Sequence, residues 1–232
     1  LTFSYIRQMD RQSRHTLSLG LHTGWVFRSV NYSALTYGNQ YNGFYYDPDL
    51  PDEEQYSLSN YSYFDIGAGA QWHFQFTRER HAYAGLAVYH FLHPHQSFMD
   101  NREIRLDMKW NAYAGAQIDV GPAVDVLPQF LFMKQGQYRE FMLGAIAKYI
   151  QNRYSKTLYT AFNAGLFYRN SDAMVFMAGV DYRHFTLGIS YDMNISKLKP
   201  ASYYRGGLEF SLVYIYNNSK QKRRKEIPCP IF

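Results

Sequence analysis

Apolar and polar side chains alternate with a period of two along most of this chain, and this pattern predicts β-strands. The clearest segment is 64–76, in which Phe64, Trp72 and Phe76 fall on one side while Asp65 and Gln71 fall on the other. The alternation recurs in three consecutive segments near the C-terminal end. Their apolar sides carry Met174, Phe176, Ala178, Val180 and Tyr182, then Phe185, Leu187, Ile189, Tyr191 and Met193, then Leu208, Phe210, Leu212, Tyr214 and Tyr216.

The whole chain contains roughly eleven such segments joined in sequence, and no segment with helical periodicity separates them. They lie at 2–9, 17–28, 64–76, 82–91, 106–119, 124–133, 141–149, 158–168, 173–182, 185–193 and 207–216. Strands of about 9–11 residues span a bilayer when they are tilted. A water-soluble β-sandwich is the alternative, but its strands are usually shorter and one face is charged. The polar sides here are rich in Gly, Ser, Asn and Gln. The sequence therefore predicts an all-β, transmembrane, antiparallel up-and-down β-barrel.

Connection lengths predict an orientation. Bacterial barrels have short periplasmic turns, longer external loops and periplasmic termini. When the segment after Tyr216 is placed in the periplasm, the long connections 31–60 and 93–102 fall outside the cell. The same count makes segment 2–9 run inward from the outer face. We therefore expect residues 1–216 to form a barrel whose N-terminal strands are missing, with about 12–14 strands in the intact protein, and residues 217–232 to form a periplasmic tail.

Composition agrees with a membrane barrel. Aromatic residues make up 19% of the 232 residues, with 23 Tyr and 17 Phe, and aromatic girdles mark both interfaces of such barrels. No signal peptide is visible, although an outer-membrane protein needs one, so we expect that Leu1 is not the true start. The single Cys excludes an internal disulfide framework.

The net charge of +5 is partly concentrated in a basic run at 220–225. Such a run is typical of nucleic-acid binding. No fold that combines aromatic and basic residues surrounds it, so no nucleic-acid partner is expected.

Candidate chemistry is sparse. His90, His93 and His95 cluster near a strand end, where they favour either a metal site or, more simply, histidines at the outer rim. His184 and Ser190 lie on the same side of one predicted strand, and Asp181 and Asp192 lie on the polar sides of their own strands. Any strand with a polar side facing a lumen would show this arrangement, so it does not indicate a catalytic site. The side assigned to the lumen carries charges of both signs, which favours mutual pairing over an ion-selective ring: Asp65, Asp107, Lys109, Asp119, Glu140, Lys148, Asp181, Asp192 and Glu209. We expect no enzyme activity, no cofactor and no metal.

The tail combines a polar basic linker with the sequence IPCPIF at 227–232. Prolines on both sides of Cys229 favour an extended segment that is incompatible with a helix. The tail is either disordered or a docking peptide for a periplasmic partner or for the mouth of the barrel itself.

Several stretches resemble a known family. The sequences SYDMNISKLKPAS at 190–202, RGGLEFSLVYIY at 205–216, the basic linker and IPCPIF are similar to the C-terminal signature of the PorP/SprF family. Segments 83–98 and 172–192 also fit the family pattern. The asparagine- and proline-rich N-terminal segment typical of the family is absent, in agreement with a missing start.

The resemblance implies a non-enzymatic outer-membrane subunit of the type IX secretion system, which is also tied to gliding motility. Its implied partners are outer-membrane lipid, secreted cargo proteins with C-terminal secretion signals, and periplasmic ring or motor subunits. By matching position, the expected partner-binding residues are Asp192, Pro200 and Ser202 in the 190–202 segment and Ile227, Pro228, Cys229, Pro230 and Phe232 in the tail. The charged lumen leaves a small-molecule channel or uptake porin as the alternative.

Overall fold

A computed structural model describes residues 1–12, 14–51, 58–77, 80–151, 159–197 and 199–216. Eleven strands form one sheet in the order of the sequence, and each strand is antiparallel to its neighbours. The strands are β1 Thr2–Gln8, β2 His15–Ser29, β3 Asn60–Gln75, β4 His81–Tyr89, β5 Lys109–Asp119, β6 Val124–Gln135, β7 Tyr138–Ile150, β8 Thr160–Arg169, β9 Ala173–Tyr182, β10 Phe185–Asn194 and β11 Arg205–Tyr214. The predicted all-β, up-and-down fold is confirmed.

Helical structure is confined to connections. Two single 3-10 turns, Tyr32–Ala34 and Gly38–Gln40, follow β2, and a one-turn helix α1, Lys199–Ser202, precedes β11. The sequence predicted only a loop at α1, because one turn is too short to produce a helical period. No helix in the described part of the chain is long and apolar enough to cross a membrane.

The ends of some strands differ from the prediction where the hydrogen bonds of a loop or the geometry of a turn determine the backbone conformation. The alternation from 106 predicted an earlier start for β5, but the backbone N–H of Leu106 donates to Pro94 O at 2.9 Å inside the preceding loop. Strand β7 instead begins before the predicted residue 141. Gly136, with φ of 57°, allows a tight turn between Gln135 and Tyr138, so β6 and β7 pair up to their ends.

Proline leaves a local gap in the sheet. Pro128 pairs with Ala145 on the β7 side, whereas the β5–β6 ladder lapses between the Gly115–Gln129 and Ile118–Val126 pairs. A proline has no backbone N–H to donate, so the strand keeps one neighbour fully paired and the other partly paired at this point.

The two faces of the sheet have opposite characters. Directly opposed residues of an antiparallel pair lie on the same face, so the register carries one set of apolar side chains across the whole sheet. We call this side the apolar face and the other the polar face. Large side chains of the apolar face are exposed, among them Trp25, Trp72, Leu143, Leu166, Leu187, Phe210 and Leu212. A water-soluble sandwich buries such a face, so this distribution favours the predicted membrane barrel over the soluble alternative.

The polar face is the concave one. A Cβ atom placed on Gly85 would collide with the ring of Tyr113, and one on Gly115 would meet the ring of Tyr83. Side chains of this face therefore fold over the glycines of neighbouring strands, which lets the sheet curve toward it.

The sheet is not closed in the part of the chain that the structure describes. There β1 pairs with β2 alone, and β11 pairs with β10 alone. Both edge strands run in the same direction, because directions alternate along an odd series of strands. Closure into an all-antiparallel barrel therefore requires an odd number of additional strands, and closure itself stays a prediction.

Candidate functional site

Aromatic side chains form two rows on the apolar face, one near each end of the strands. The row beside the short turns contains His15, Trp72, Phe74, Tyr149, Phe162, Tyr182, Phe185 and Tyr214, and the row beside the long connections contains Trp25, Phe27, Phe64, Trp110, Phe132, Phe141, Tyr168 and Tyr191. Alanines and aliphatic residues occupy the band between the rows. On β7 the band runs from Phe141 to Tyr149, a span of about 27 Å at about 3.4 Å per residue.

This spacing suits a bilayer. Outer-membrane barrels carry an apolar band about 25 Å tall between two aromatic girdles, and because their strands are tilted by about 35–45°, the span of about 27 Å along β7 rises about 19–22 Å across the membrane. The row beside the short turns is also internally packed: His15 stacks on Phe74 at 4.3 Å between ring centres, and Trp72 Nε1 donates to His15 Nδ1 at 3.3 Å. The cations Lys134 and Arg139 are opposed across β6 and β7, just beyond Phe132 and Phe141 of the other row.

The polar face neutralises many of its own charges. Lys148 Nζ donates to Asp181 Oδ2 at 2.7 Å, and Thr186 Oγ1 donates to the other oxygen of Asp181 at 3.0 Å. Gln117 Nε2 donates at 2.7 Å to Asp125, whose exposed fraction is 0%. These contacts join β5 to β6, β7 to β9 and β9 to β10, so the polar side chains tie the sheet together.

Asp181 and Asp192, which the sequence pattern groups with His184 and Ser190, are both held by cations. Asp181 is paired with Lys148, and Asp192 Oδ2 accepts a hydrogen bond from Arg169 Nη2 at 2.9 Å. His184 lies in the turn between β9 and β10, with its ring 6.4 Å from that of Tyr214. In the described part of the chain, both carboxylates therefore form ion pairs that connect different strands of the sheet.

The histidines near the end of β4 do not act as one group. His90 has a φ of 61° and turns its Nδ1 to both oxygens of Asp65 at 3.0 Å, where Asp65 is only 8% exposed. His95 instead takes part in a β-bridge with Arg105 inside the following loop. Among the described residues, no group of three or more His, Cys, Asp or Glu side chains could hold a metal ion.

Part of the polar face is apolar, and the sequence analysis missed it. Met142, Phe167, Val175 and Met177 line a recess of about 250 Å³ on the concave side of the sheet, which extends from Gln129 on β6 to Ser211 on β11. The alternation is weak in β6 and β7, because both sides of these strands are largely apolar: Leu131, Met142 and Ile146 lie on the side opposite to Phe141 and Leu143. Asp107, which was expected on this face, lies instead in the connection before β5, where Gln135 Nε2 donates to its carbonyl oxygen at 3.2 Å.

The two longest connections, after β2 and β4, lie at the same end of the sheet. We call the end with the connections after β2, β4, β6, β8 and β10 the long-loop edge, and the other end the short-turn edge. At the short-turn edge, Asp10 accepts the backbone N–H of His15 at 2.9 Å, which lowers the pKa of Asp10 below its ordinary value. A hydrogen bond from Arg80 to Asp119 joins the turn after β3 to the end of β5 and raises the pKa of Arg80.

At the long-loop edge, the connections after β2 and β4 pack on each other. The backbone N–H of Leu58 donates to Phe98 O at 2.9 Å, and Tyr32 OH donates to Leu58 O at 2.9 Å. The ring of Phe98 meets Tyr61 edge-on at 4.7 Å. Sequence reasoning did not find this cluster, because its members come from separate segments without a shared period.

The expected contact residues of the 190–202 segment gather at one corner of the long-loop edge. Asp192 lies on the polar face of β10 and is bound by Arg169. Two residues further along, Asn194 Nδ2 donates to Ser202 Oγ at 3.1 Å, and Pro200 is exposed in the same α1 turn. The tail residues Ile227, Pro228, Cys229, Pro230 and Phe232 lie outside the described residues.

An exposed apolar face with two aromatic girdles and a concave face of paired charges define a membrane-spanning β-protein of the outer-membrane type. A family model described as type IX secretion system membrane protein PorP/SprF matches residues 1–214. The chain therefore belongs to the PorP/SprF family and is an outer-membrane component of the type IX secretion system, as the sequence resemblance predicted. This family is one of secretion-system membrane components and is not a known enzyme family. No curated protein and no solved structure matches the chain.

Proposed function

We propose that this chain is a non-enzymatic docking subunit of the type IX secretion machinery. Its long-loop edge faces the cell exterior and engages secreted proteins with C-terminal secretion signals. Its short-turn edge and the tail 217–232 face the periplasm and contact ring or motor subunits. Outer-membrane lipid surrounds the apolar face.

The difference between the two edges carries the proposal. Turns at the short-turn edge are closed by hydrogen bonds within a few residues, such as Val120 N–H to Val124 O at 3.0 Å. The connections after β2 and β4 are long and pack into a structured aromatic cluster around Phe98. Barrels of this class place long connections outside the cell, so the structured surface faces exported proteins.

The tail and the corner near α1 are the proposed contact regions. In the tail these are Ile227, Pro228, Cys229, Pro230 and Phe232, and at the corner they are Asp192, Pro200 and Ser202. Strand β11 ends at the short-turn edge, which supports a periplasmic position for the basic linker in the proposed orientation. Cationic residues there suit acidic surfaces on a periplasmic partner.

A small-molecule channel is the alternative, and the charged polar face favours it. A conducting lumen needs water-exposed polar walls. Here Lys148, Asp181 and Asp192 have protein partners, and Met142, Phe167 and Met177 make part of the wall apolar. The docking function is therefore preferred, and planar-bilayer conductance near zero would remove the alternative.

The test is a mild-detergent pull-down of the intact protein from outer membranes, with and without residues 220–232. We expect ring or motor subunits to be recovered only when the tail is present, while secretion falls without it. Strand β11 ends at Tyr214, so the truncated protein should keep its folded, heat-modifiable migration. Normal secretion and unchanged partner recovery after the deletion would refute the role of the tail.

A further inference from the structure

A small hairpin projects from the long connection after β2. We call residues 41–46 the aromatic hairpin. Tyr41 and Tyr46 form an antiparallel bridge, and the backbone N–H of Asn42 donates to Tyr45 O at 3.2 Å. The side-chain oxygen of Asn42 accepts the N–H groups of Phe44 at 3.0 Å and Tyr45 at 3.1 Å. Gly43, with φ of 99°, provides the turn conformation that other residues rarely adopt.

The base of the aromatic hairpin is anchored. Gln40 precedes it and is buried. Its Nε2 donates to Leu50 O at 3.2 Å, and its Oε1 accepts the N–H of Tyr37 at 3.1 Å. The backbone N–H of Asp47 donates to Gln40 O at 2.8 Å. Local hydrogen bonds thus fix the shape of the hairpin, and a preformed loop loses little conformational freedom when it binds.

The tip of the hairpin displays an apolar ring to solvent. Phe44 is 91% exposed, more than any other large apolar side chain in the described ranges. Tyr41 and Tyr45 beside it are also exposed. Phe44 is separate from the apolar face, since it belongs to a connection rather than to a strand. Loops rich in Tyr, Ser, Gly and Asn are typical of protein-binding surfaces, because tyrosine offers a large rigid contact at small entropic cost.

The charge around the hairpin is acidic. The segment 31–60 contains five acidic residues and no Lys or Arg, in a chain of net charge +5. Asp47 and Asp49 follow the hairpin directly, and the N–H of Asp49 donates to Asp47 Oδ1 at 3.1 Å. Complementarity requires a partner with basic side chains beside an apolar pocket. Anionic lipid headgroups would be repelled by the same carboxylates.

We propose that the aromatic hairpin is a protein-binding element of the long-loop edge, in addition to the corner near α1. Phe44 inserts into an apolar pocket of a secreted protein, and Asp47 and Asp49 pair with basic side chains at the margin of that pocket. This inference rests on the proposed docking function, and it assigns a part in the docking of cargo to one defined element of the chain.

The experiment measures binding to the full chain in lipid nanodiscs by biolayer interferometry. The probe is the purified C-terminal secretion-signal domain of a type IX cargo protein from the same cells. Phe44→Ala should weaken binding about tenfold or more, as expected for a buried aromatic anchor. Tyr138→Ala is the matched control, because Tyr138 is 85% exposed at the same edge and should leave binding unchanged. The double variant Asp47→Asn/Asp49→Asn should weaken binding and flatten its dependence on salt.

Each outcome decides a different point. Binding that Phe44→Ala leaves intact overturns the role of the hairpin while the docking function stands. A wild-type chain that does not bind the probe refutes the docking function, and this inference falls with it. Competition by vesicles containing lipopolysaccharide, with loss of vesicle binding in Phe44→Ala, would identify a lipid anchor instead and overturn the proposal.

Discussion

Replacing Ala145 with arginine tests the central structural conclusion, that the apolar face meets lipid. Ala145 lies on this face of β7, midway between Phe141 in one aromatic row and Tyr149 in the other. Its neighbours across the sheet are Pro128 and Leu166. An arginine at this position would therefore extend into the middle of the hydrocarbon.

The expected cost follows from depth. At about 3.4 Å per residue, Ala145 lies about 14 Å along the strand from each aromatic row. Arginine on the lipid face of a barrel costs about 2–4 kcal/mol at the midplane and about 0–1 kcal/mol near the interfaces. The free energy of unfolding should thus fall by about 2–4 kcal/mol, which is roughly 30- to 700-fold in the folding equilibrium. The natural Arg139, beyond Phe141 on the same face, shows the depth at which the chain itself places a cation.

The assay is denaturant unfolding in lipid vesicles, followed by tryptophan fluorescence. Ala147→Arg, one outward-facing position nearer to Tyr149, is the matched variant and should cost less because it lies closer to the interface. If Ala145→Arg differs from the wild type by less than about 0.5 kcal/mol, the position behaves like an ordinary water-exposed surface. The assignment of the apolar face to lipid would then be wrong.

Two further predictions, each with a matched variant, concern the polar face and use the same unfolding assay. Lys148→Met leaves the half-buried Asp181 carboxylate without its cation and should lower the free energy of unfolding by about 3–5 kcal/mol. The double variant Lys148→Met/Asp181→Leu should recover most of that loss. Equal losses in the single and double variants would show that the pair is not coupled. Gly144→Ala places a Cβ against the ring of Phe167 and the backbone oxygen of Leu166 and should cost about 1–3 kcal/mol. Gly24→Ala is its control, because the nearest atom to a Cβ there is His22 Nε2 at 3.8 Å, and comparable costs at the two glycines would contradict the close packing at Gly144.

The strands and their faces were predictable from the sequence because a strand has a fixed period of two. Once Phe176 and Phe185 were assigned to one face, the pairing of β9 with β10 placed the rest of both strands. The start of β5 was not predictable in the same way. Alternation continues through Leu106, but a loop hydrogen bond to Pro94 uses its backbone N–H, and no local pattern reports that contact.

The candidate sites were less predictable from the sequence than the strands of the sheet. Phe98 meets Tyr32 and Tyr61 through connections that are distant in sequence, and such contacts leave no periodic signal. The same holds for His90, which was grouped with its neighbours by spacing but turns to Asp65 on β3. The aromatic hairpin was predicted only as part of a long loop. Its shape depends on hydrogen bonds made by the side chains of Asn42 and Gln40, and the composition of a loop does not predict such bonds.

The two faces together leave the edges of this sheet as the surfaces most open to a protein partner. The apolar face must remain against hydrocarbon, since charges there are costly, so it offers no site for a water-soluble partner. Much of the polar face is occupied by its own pairs, such as Lys148 with Asp181 and Arg169 with Asp192, and a ligand would have to displace them. The long-loop edge lies outside the apolar band and away from these ion pairs. Its loops are held by packing around Phe98, and Phe44 is left exposed. Contacts with exported proteins are therefore expected at this edge, because packing holds its loops in a defined shape while Phe44 stays exposed to solvent.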